Sequence, residues 1–335
     1  MKPLTGAIVG CGMISEFHLR AWQCLEGVDI TAFCDVDEAA GSRRRDEYFP
    51  NARVYSDLAA LLANEDVDFI DVASPPDFHA AHVSLALAAN RHVICQKPLT
   101  SDAATATALA TSARERQLTL AVHDNHRFRP WFQRVLAAHA RQQFGHVVHV
   151  RWHQYDAAAP SQRYKVKAPQ GVLFEYGTHF IDMMLALLGE PKDVSAQLSR
   201  INESVAGESF AHLMFRYENS GVDISVGWKN AGPLSAGFHL LGTTGEVIYE
   251  GTLTRGPQSH LQILTSGKLL ADERRDPTAD YIESFIAYQQ AFVASLRATP
   301  QPPPPITATE GAAVLAWTEA AYESARTGKP IAKRL

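Results

Sequence analysis

Short apolar runs and helical stretches alternate along the first third of the chain. Five of the runs are almost wholly apolar, at residues 7–9, 28–34, 69–73, 92–95 and 118–122. Such runs are typical of strands that are buried on both faces of a sheet. A weaker strand near Val54 makes a sixth. The alternation predicts an α/β domain over residues 1–123, built on a doubly wound parallel sheet.

The pattern changes after residue 123. Residues 149–153 alternate between polar and apolar, and two β runs, 210–217 and 222–228, are joined by a polar turn that ends in Gly221. Two such runs around a short polar turn are typical of a hairpin. Further strands and helices are predicted at residues 238–241, 247–249, 177–188 and 281–296. We therefore expect a second, α+β domain over residues 124–335, with an open antiparallel sheet.

A proline-rich connector at residues 302–305 precedes the last predicted helix. Thr307 and Glu310 have the spacing of a capping box, which predicts a helix over about residues 307–326. This helix could return to pack on the first domain.

The first predicted strand runs straight into a glycine-rich turn. Gly10 and Gly12 allow a sharp bend and a close approach to a pyrophosphate, whose charge is met by the N-terminus of the next helix. Asp35 follows at the end of the second strand, where a carboxylate accepts hydrogen bonds from a ribose diol. Ser15 stands where the usual pattern has a third Gly or Ala. The order of these parts predicts a dinucleotide site formed by Gly10, Cys11, Gly12, Met13, Ile14 and Asp35.

The residues around Asp35 favour NAD over NADP. Asp35 and Asp37 place two carboxylates where the 2′-phosphate of NADP would lie, and no Arg directly follows the first acid. Arg43, Arg44 and Arg45 lie further along, on a predicted helix, and are interpreted as a solvated face. They keep NADP as the less favoured alternative.

Composition limits the class of protein. The 335 residues are 46% hydrophobic and 20% charged, which is typical of a globular protein of about two domains. A net charge of −5 gives no basic field for nucleic acid. No apolar stretch is long enough to span a membrane, and the first strand begins close to Met1, so we expect no signal peptide and a cytoplasmic location. The four cysteines have no C-x-x-C spacing and are interpreted as buried hydrophobes, and no metal site is predicted.

Two short segments carry candidate chemistry. They are Gln96-Lys97-Pro98, after the fifth strand, and the eight residues from Glu175 to Asp182, which include His179. With these segments the chain resembles, over nearly its full length, the Gfo/Idh/MocA family of oxidoreductases, whose motifs are E-K-P and D-x-x-x-H-x-x-D. The resemblance implies an N-terminal Rossmann domain, a C-terminal domain with an open antiparallel sheet, and a nicotinamide cofactor bound between them. It also implies action on sugars, cyclitols and related polyols.

The resemblance assigns roles residue by residue. Lys97 corresponds to the catalytic lysine, His179 to the catalytic acid/base, and Asp182 to an acceptor for a substrate hydroxyl. Glu175 would orient His179 or Lys97. The positions expected near the cofactor, beyond the glycine turn, are Ser74, Pro75, Pro76, His79, Gln96, Lys97 and Asn125. Those expected near the substrate, partly from a loop that starts at Tyr155, are Lys97, Arg127, Tyr155, Arg163, Tyr164, His179 and Asp182.

Two positions depart from the family pattern. Gln96 replaces the Glu of the first motif, and Glu175 replaces the first Asp of the second. Gln keeps its hydrogen-bonding capacity but carries no charge, so Lys97 lacks one neighbour that favours its ammonium form. Glu175 is one methylene longer than Asp, which alters its reach.

The residues suit the oxidation of a secondary alcohol. A base near the hydroxyl is required, and histidine has a suitable proton affinity near neutral pH, while Lys97 would stabilise negative charge on the same oxygen. The leading hypothesis is an NAD-dependent oxidoreductase that acts on a sugar, glycoside or cyclitol. One alternative is a redox-neutral, NAD-dependent enzyme that cleaves a glycoside by oxidation and elimination. Another is a non-catalytic, nucleotide-sensing relative.

Because an open sheet leaves a broad face to cover, we expect a homodimer or homotetramer.

Overall fold

The computed structural model describes residues 3–156, 166–229, 232–252 and 258–333. The chain forms two compact units. The first consists of Met1–Phe128 and Ile282–Leu315, and the second of Arg129–Tyr281 and Ala316–Leu335.

The first unit is built on a six-stranded parallel sheet. Its strands are β1 (Leu4–Val9), β2 (Val28–Cys34), β3 (Arg53–Tyr55), β4 (Phe69–Val72), β5 (His92–Gln96) and β6 (Leu120–His123). They lie side by side in the order β3-β2-β1-β4-β5-β6. This order reverses direction at β1, so the doubly wound sheet expected from the sequence is confirmed.

Helices connect the strands of this sheet. They are α1 (Met13–Gln23), α2 (Glu38–Tyr48), α3 (Leu58–Asn64), α4 (Pro76–Ala88) and α5 (Ala103–Glu115), with a 3-10 helix at Asn125–Phe128 after β6. Three of them begin at an aspartate whose side chain accepts a backbone N–H from the first turn: Asp37, Asp57 and Asp102. Such caps satisfy donors that a helix leaves without partners, and they fix where each helix starts.

Two long helices near the C-terminus are shared between the units. They are α8 (Pro277–Arg297) and α9 (Ala308–Thr327), and the parts from Ile282 and up to Leu315 belong to the first unit. The capping box predicted before α9 is present, since Thr307 Oγ1 accepts the Glu310 N–H at 3.1 Å and the Glu310 carboxylate accepts the Thr307 N–H at 2.8 Å. Just before this box, the Ile306 carbonyl accepts the N–H of Val122 in β6 at 3.0 Å.

The second unit is built on an eight-stranded sheet. Its strands are β7 (Val147–Asp156), β8 (Asp193–Ser199), β9 (Phe210–Arg216), β10 (Gly221–Trp228), β11 (Ser235–Gly242), β12 (Gly245–Gly251), β13 (Ser259–Thr265) and β14 (Lys268–Arg275), in the order β14-β13-β12-β11-β7-β10-β9-β8. The expected antiparallel sheet is confirmed apart from one pair, since β7 and β10 are parallel, with Val150 opposite Val222. The hairpin predicted from residues 210–228 is the antiparallel pair β9 and β10.

The helices of the second unit cover one face of its sheet. Helix α6 (Pro130–Ala140), a π-helix (Leu173–Gly177) and helix α7 (Thr178–Leu188) belong to this unit. Trp152 of β7 packs against Trp131 and Phe180, with ring centroids 5.5 and 4.4 Å apart. The opposite face of the sheet carries half-exposed polar side chains such as His149 and Asp223, which are joined at 2.6 Å. Because side chains alternate along a strand, one face forms the core and the other stays open.

The cysteines correct one expectation from the sequence. All four are free, and Cys11, Cys34 and Cys95 are buried as predicted, but Cys24 is exposed at the end of α1. Its thiol lies 3.3 Å from the Arg20 carbonyl, so a hydrogen bond within the last turn takes the place of burial. Burial also raises the pKa of Cys11 and of Cys34 to about 12, so both thiols stay protonated.

In the described part of the chain, no helix is long and apolar enough to cross a membrane. Nor do the described His, Cys, Asp and Glu side chains form a group of three or more that could hold a metal ion.

Candidate functional site

The glycine turn after β1 has room for a ligand. Gly10 has φ +93°, and a Cβ at this position would lie 2.5 Å from the backbone of Ser74, so only glycine fits. Gly12 precedes the first residue of α1, and a Cβ there would meet no heavy atom within 4 Å. The turn therefore leaves the N-terminus of α1 open to an anion, which fits a pyrophosphate.

Asp35 is held beside this turn. Its Oδ2 accepts the Cys11 N–H at 2.7 Å, and its Oδ1 accepts the Asp37 N–H at 2.9 Å. Each oxygen keeps a second lone pair for a ribose hydroxyl. Two apolar side chains at the same edge of the sheet are open to solvent, since Met13 is 57% and Val36 is 92% exposed. A carboxylate, an open helix end and exposed apolar surface together fit a dinucleotide.

The three arginines of α2 differ in environment. The side chain of Arg43 is 70% exposed, as a solvated face requires. For Arg44 the interpretation is wrong, because its side chain is 18% exposed and its guanidinium donates to the Gly12 carbonyl at 3.3 Å and to Glu16 at 3.4 Å. Arg44 therefore links α2 to the glycine turn and to α1.

The loop after β4 is tied to the loop after β5 by a histidine. The two ring nitrogens of His79 lie 2.7 Å from the carbonyl oxygens of Ser74 and Pro98. The ring is fully buried, and burial lowers its pKa. His79 thus supports the Ser74-Pro75-Pro76 loop from inside the unit, whereas Pro75 itself is exposed at the surface.

Lys97 follows β5 directly, and a buried polar chain lies behind it. The Gln96 side-chain oxygen accepts the Lys97 N–H at 2.7 Å, and the Gln96 Nε2 lies 3.4 Å from His18 Nε2. His18 Nδ1 is 2.9 Å from the carboxylate of Asp71, which also accepts the indole N–H of Trp22 at 2.7 Å. His18 and Asp71 are fully buried. A carboxylate that binds Nδ1–H leaves Nε2 as an acceptor, so the amide of Gln96 is matched to its neighbour.

Asp124 is a site residue that sequence reasoning missed. It follows β6 directly, is 3% exposed, and accepts the His126 N–H at 3.0 Å. Burial raises its pKa to about 6, while the positive charges of Lys97 and Arg127 act in the opposite direction. No local motif marks this aspartate, because its proximity to Lys97 depends on β5 and β6 being neighbours in the sheet.

The two predicted residues after Asp124 are engaged within the first unit. The amide of Asn125 donates to Ser284 Oγ at 2.8 Å. The guanidinium of Arg127 donates to Glu310 at 2.7 Å, which links it to the capping box of α9. Their roles toward cofactor and substrate stay predictions.

In the second unit, the predicted residues lie on consecutive helical turns. Glu175 is half-buried in the π-helix, and His179 and Asp182 are buried in α7 at 6% and 2% exposure. π-helical turns are rare and are often found at functional sites. Glu175, His179 and Asp182 are thus brought together on one helical segment, while Lys97 and Asn125 belong to the other unit.

Two further side chains that were not predicted from the sequence, Tyr176 and Asp156, meet beside this segment. The Tyr176 hydroxyl donates to the carboxylate of Asp156 at the end of β7. Burial and the charge of Asp156 raise the pKa of Tyr176 well above its usual value. Tyr155 instead points to the open face of the sheet, where its hydroxyl lies 2.7 Å from Ser225 Oγ. The alternation of side chains along β7 was the available signal, since it separates neighbouring residues onto opposite faces. Arg163 and Tyr164 lie outside the described residues.

Two family models match the chain. The model for an oxidoreductase family with an NAD-binding Rossmann fold matches residues 4–124, and the model for the C-terminal alpha/beta domain of that family matches residues 140–332.

Curated relatives match over almost the whole chain. A D-apiose dehydrogenase of Paraburkholderia graminis is 30% identical over 99% of this chain and 90% of its own length. A D-apiose dehydrogenase of Rhizobium rhizogenes is 29% identical over 99% and 98%. The scyllo-inositol 2-dehydrogenase (NADP(+)) of Bacillus subtilis is 25% identical over 97% and 94%.

A solved structure also matches over almost the whole chain. An oxidoreductase from Agrobacterium radiobacter, determined in complex with NAD+, L-tartaric acid and magnesium, superposes with a TM-score of 0.85 at 26% identity, over 98% of each chain. With the glycine turn, Asp35, Lys97 and His179 in place, the chain belongs to the Gfo/Idh/MocA family of NAD-binding oxidoreductases.

Proposed function

We propose that this protein is an NAD-dependent dehydrogenase that oxidises a hydroxyl-bearing carbon of a small sugar, with D-apiose as the first substrate to test. The observation that carries the proposal is the match, over 99% of the chain, to two D-apiose dehydrogenases. The match to the inositol enzyme of Bacillus subtilis is weaker, at 25% identity. A cyclitol is therefore the second substrate class to test.

The first unit supplies the binding surface for the cofactor. The open N-terminus of α1 at Gly12 would hold the pyrophosphate, and Asp35 would hold a ribose diol. When bound, NAD+ accepts the hydride of the substrate carbon. Since two carboxylates, Asp35 and Asp37, lie at the end of β2, we propose NAD rather than NADP as the preferred cofactor.

The proton chemistry is assigned to Lys97 and His179. The substrate loses a hydride from carbon and a proton from its hydroxyl group, which leaves a carbonyl. His179 would take the proton, and the Lys97 ammonium would donate a hydrogen bond to the same oxygen and stabilise its negative charge. Glu175 and Asp182 lie on the helical segment that carries His179, and we propose that they orient it and the substrate.

A substrate panel tests the proposed function. Purified protein is incubated with NAD+ or NADP+ and D-apiose, myo-inositol, scyllo-inositol or a set of glycosides, while NADH absorbance and products are followed. We expect NADH with a sugar or cyclitol, and in Lys97→Ala a kcat/KM lower by about 100-fold or more. Asp102→Asn, which changes only the cap of α5, is the control and should behave like the wild type. Wild-type turnover in Lys97→Ala would contradict the assignment, and glycoside cleavage without NADH would favour the redox-neutral reaction.

We also propose that two or four copies associate through the open face of the second unit's sheet. Support comes from Met214 and Leu241, large apolar side chains on that face that are 50% and 42% exposed. Exposed apolar groups on a broad sheet face are typical of a surface that a partner covers. A monomeric mass by light scattering would contradict this proposal.

We propose a cytoplasmic location for the protein. Its four cysteines are free, and free thiols are typical of reducing compartments. Recovery of the protein outside the cytoplasmic fraction of its cell would contradict this assignment.

A further inference from the structure

Lys97 is preceded by a side chain without charge. The oxygen of the Gln96 amide accepts the Lys97 N–H, and its nitrogen faces the imidazole of His18, which is bonded in turn to Asp71. This chain of contacts fixes the backbone at Lys97. It leaves position 96 without a negative charge to stabilise an ammonium group.

An aspartate follows the strand that neighbours the end of β5. Strands β5 and β6 are parallel, with Gln96 opposite His123, and the Lys97 N–H donates to the His123 carbonyl at 3.3 Å. Asp124 is the next residue after His123, so the two strand ends bring Lys97 and Asp124 side by side. Asp124 is 3% exposed, and its interaction with water is largely replaced by interactions with the protein.

The charged groups that act on Asp124 are Lys97 and Arg127. Arg127 shares its charge with Glu310, to which it donates at 2.7 Å. The imidazole of His123 packs between the rings of His18 and Tyr288, each with its centroid 4.3 Å away, and burial lowers its pKa well below the usual value. His18 Nδ1 lies 2.9 Å from the carboxylate of Asp71, and burial raises the pKa of the Cys95 thiol well above its usual value. Of these two cations, Lys97 has the larger effect on Asp124, so Asp124 is placed to balance the charge of Lys97.

We propose that Asp124 is a positioning residue that acts through Lys97: its buried carboxylate supplies the negative charge that Gln96 lacks and keeps the Lys97 ammonium charged and oriented. This inference rests on the proposed role of Lys97 in the reaction. An ammonium group stabilises a developing oxygen anion only while it is protonated. A carboxylate held in a poorly solvated position acts on it more strongly than one in water.

Asp124 also accepts the His126 N–H, which a purely structural role would explain. Asp124→Asn separates the two roles, because asparagine keeps an oxygen for that N–H and loses the charge. A second variant, Gln96→Glu with Asp124→Asn, moves the carboxylate to the other side of Lys97. The glutamate keeps an oxygen for the Lys97 N–H, while its second oxygen meets the acceptor His18 Nε2, so a proton taken up between them offsets part of the added charge.

The first measurement determines the pKa of the Lys97 amine and does not depend on enzyme turnover. Competitive acetylation over a range of pH, followed by peptide mass spectrometry, gives the pKa of the Lys97 amine in each protein. We expect it to fall by about one unit in Asp124→Asn and to recover in part in the double variant. An unchanged titration of Lys97 in Asp124→Asn would overturn the inference, even if the protein proves to be a dehydrogenase.

The second measurement determines kcat, its pH profile and the affinity for NAD. We expect kcat to fall about 10-fold or more in Asp124→Asn, with NAD affinity unchanged and the alkaline limb of the pH profile moved to lower pH, and to recover in part in the double variant. Asp102→Asn, a cap of α5 that also accepts a backbone N–H, is the matched control. A parallel loss of NAD binding and kcat, with no recovery in the double variant, would show a structural role and overturn the inference. If the wild type forms no NADH while the titration of Lys97 shifts as expected, the proposed function fails and the pairing stands.

Discussion

At the scale of single residues, the burial of Asp124 makes the stability of the protein depend on pH. Its pKa is raised from 3.8 to about 6, chiefly by burial. In the folded protein the carboxyl therefore holds its proton up to a higher pH than in the unfolded chain. Stability is then lost as the pH rises between these two values, because the unfolded state releases its proton first. Above about pH 6 the full penalty is present.

Asp124→Asn should therefore stabilise the protein while impairing it. Relative to the wild type, its free energy of unfolding should rise from about pH 4 to pH 7 and gain about 3 kcal/mol at most, since one pKa unit corresponds to about 1.4 kcal/mol. Urea unfolding at several pH values measures this difference. A variant that is less stable than the wild type across the whole range would contradict the account.

Some of the candidate site residues could be predicted from the sequence, and others could not. Gly10, Asp35 and Lys97 stand in local patterns whose geometry follows from the neighbouring elements. Asp124 and His18 carry no such signal, because what they contact depends on which strands and helices become neighbours. The contact of Tyr155 with Ser225 could not be predicted for a related reason. One step along β7 moves a side chain to the other face of the sheet.

At the scale of elements, the turn between β1 and α1 is the part that the sequence specifies most closely. Gly10 is required by its φ of +93° and by the backbone of Ser74, whereas Gly12 faces open space. The two glycines therefore serve different ends, one for folding and the other for access to the ligand.

Substituting each glycine by alanine should separate these effects. Gly10→Ala should lower the free energy of unfolding by about 2 kcal/mol or more, because a Cβ is strained at this φ and meets Ser74. Gly12→Ala should stay within about 0.5 kcal/mol of the wild type, yet lose about 10-fold or more in NAD affinity, because its Cβ occupies the space that the pyrophosphate needs. Urea unfolding and calorimetric titration with NAD+ measure the two quantities. Equal losses of stability in both variants would contradict this division.

Other elements were not visible in the sequence. Strand β14 is rich in charged residues and lies at the edge of its sheet, and β8 has few large apolar residues. Pairing with a neighbour specifies such strands more than their own pattern does. The parallel pair β7 and β10 was missed because it joins segments separated by α7, β8 and β9.

At the scale of the whole molecule, the chain consists of two units that carry different sets of candidate site residues. The first carries the dinucleotide turn, Asp35, Lys97 and Asp124, and the second carries Glu175, His179 and Asp182. The Rossmann fold and the cofactor class could be predicted from alternation and one motif. The substrate could not, because hydroxyl groups of different sugars are bound by side chains whose placement depends on loops rather than on a periodic pattern.

The central claim is that a hydride passes from the sugar to NAD+. The most direct test uses D-apiose, or the substrate that the panel identifies, with deuterium at the oxidised carbon, and follows the label by mass spectrometry. We expect one deuterium in each NADH formed and none retained at that carbon in the product. Product formation with no deuterium in NADH would contradict it.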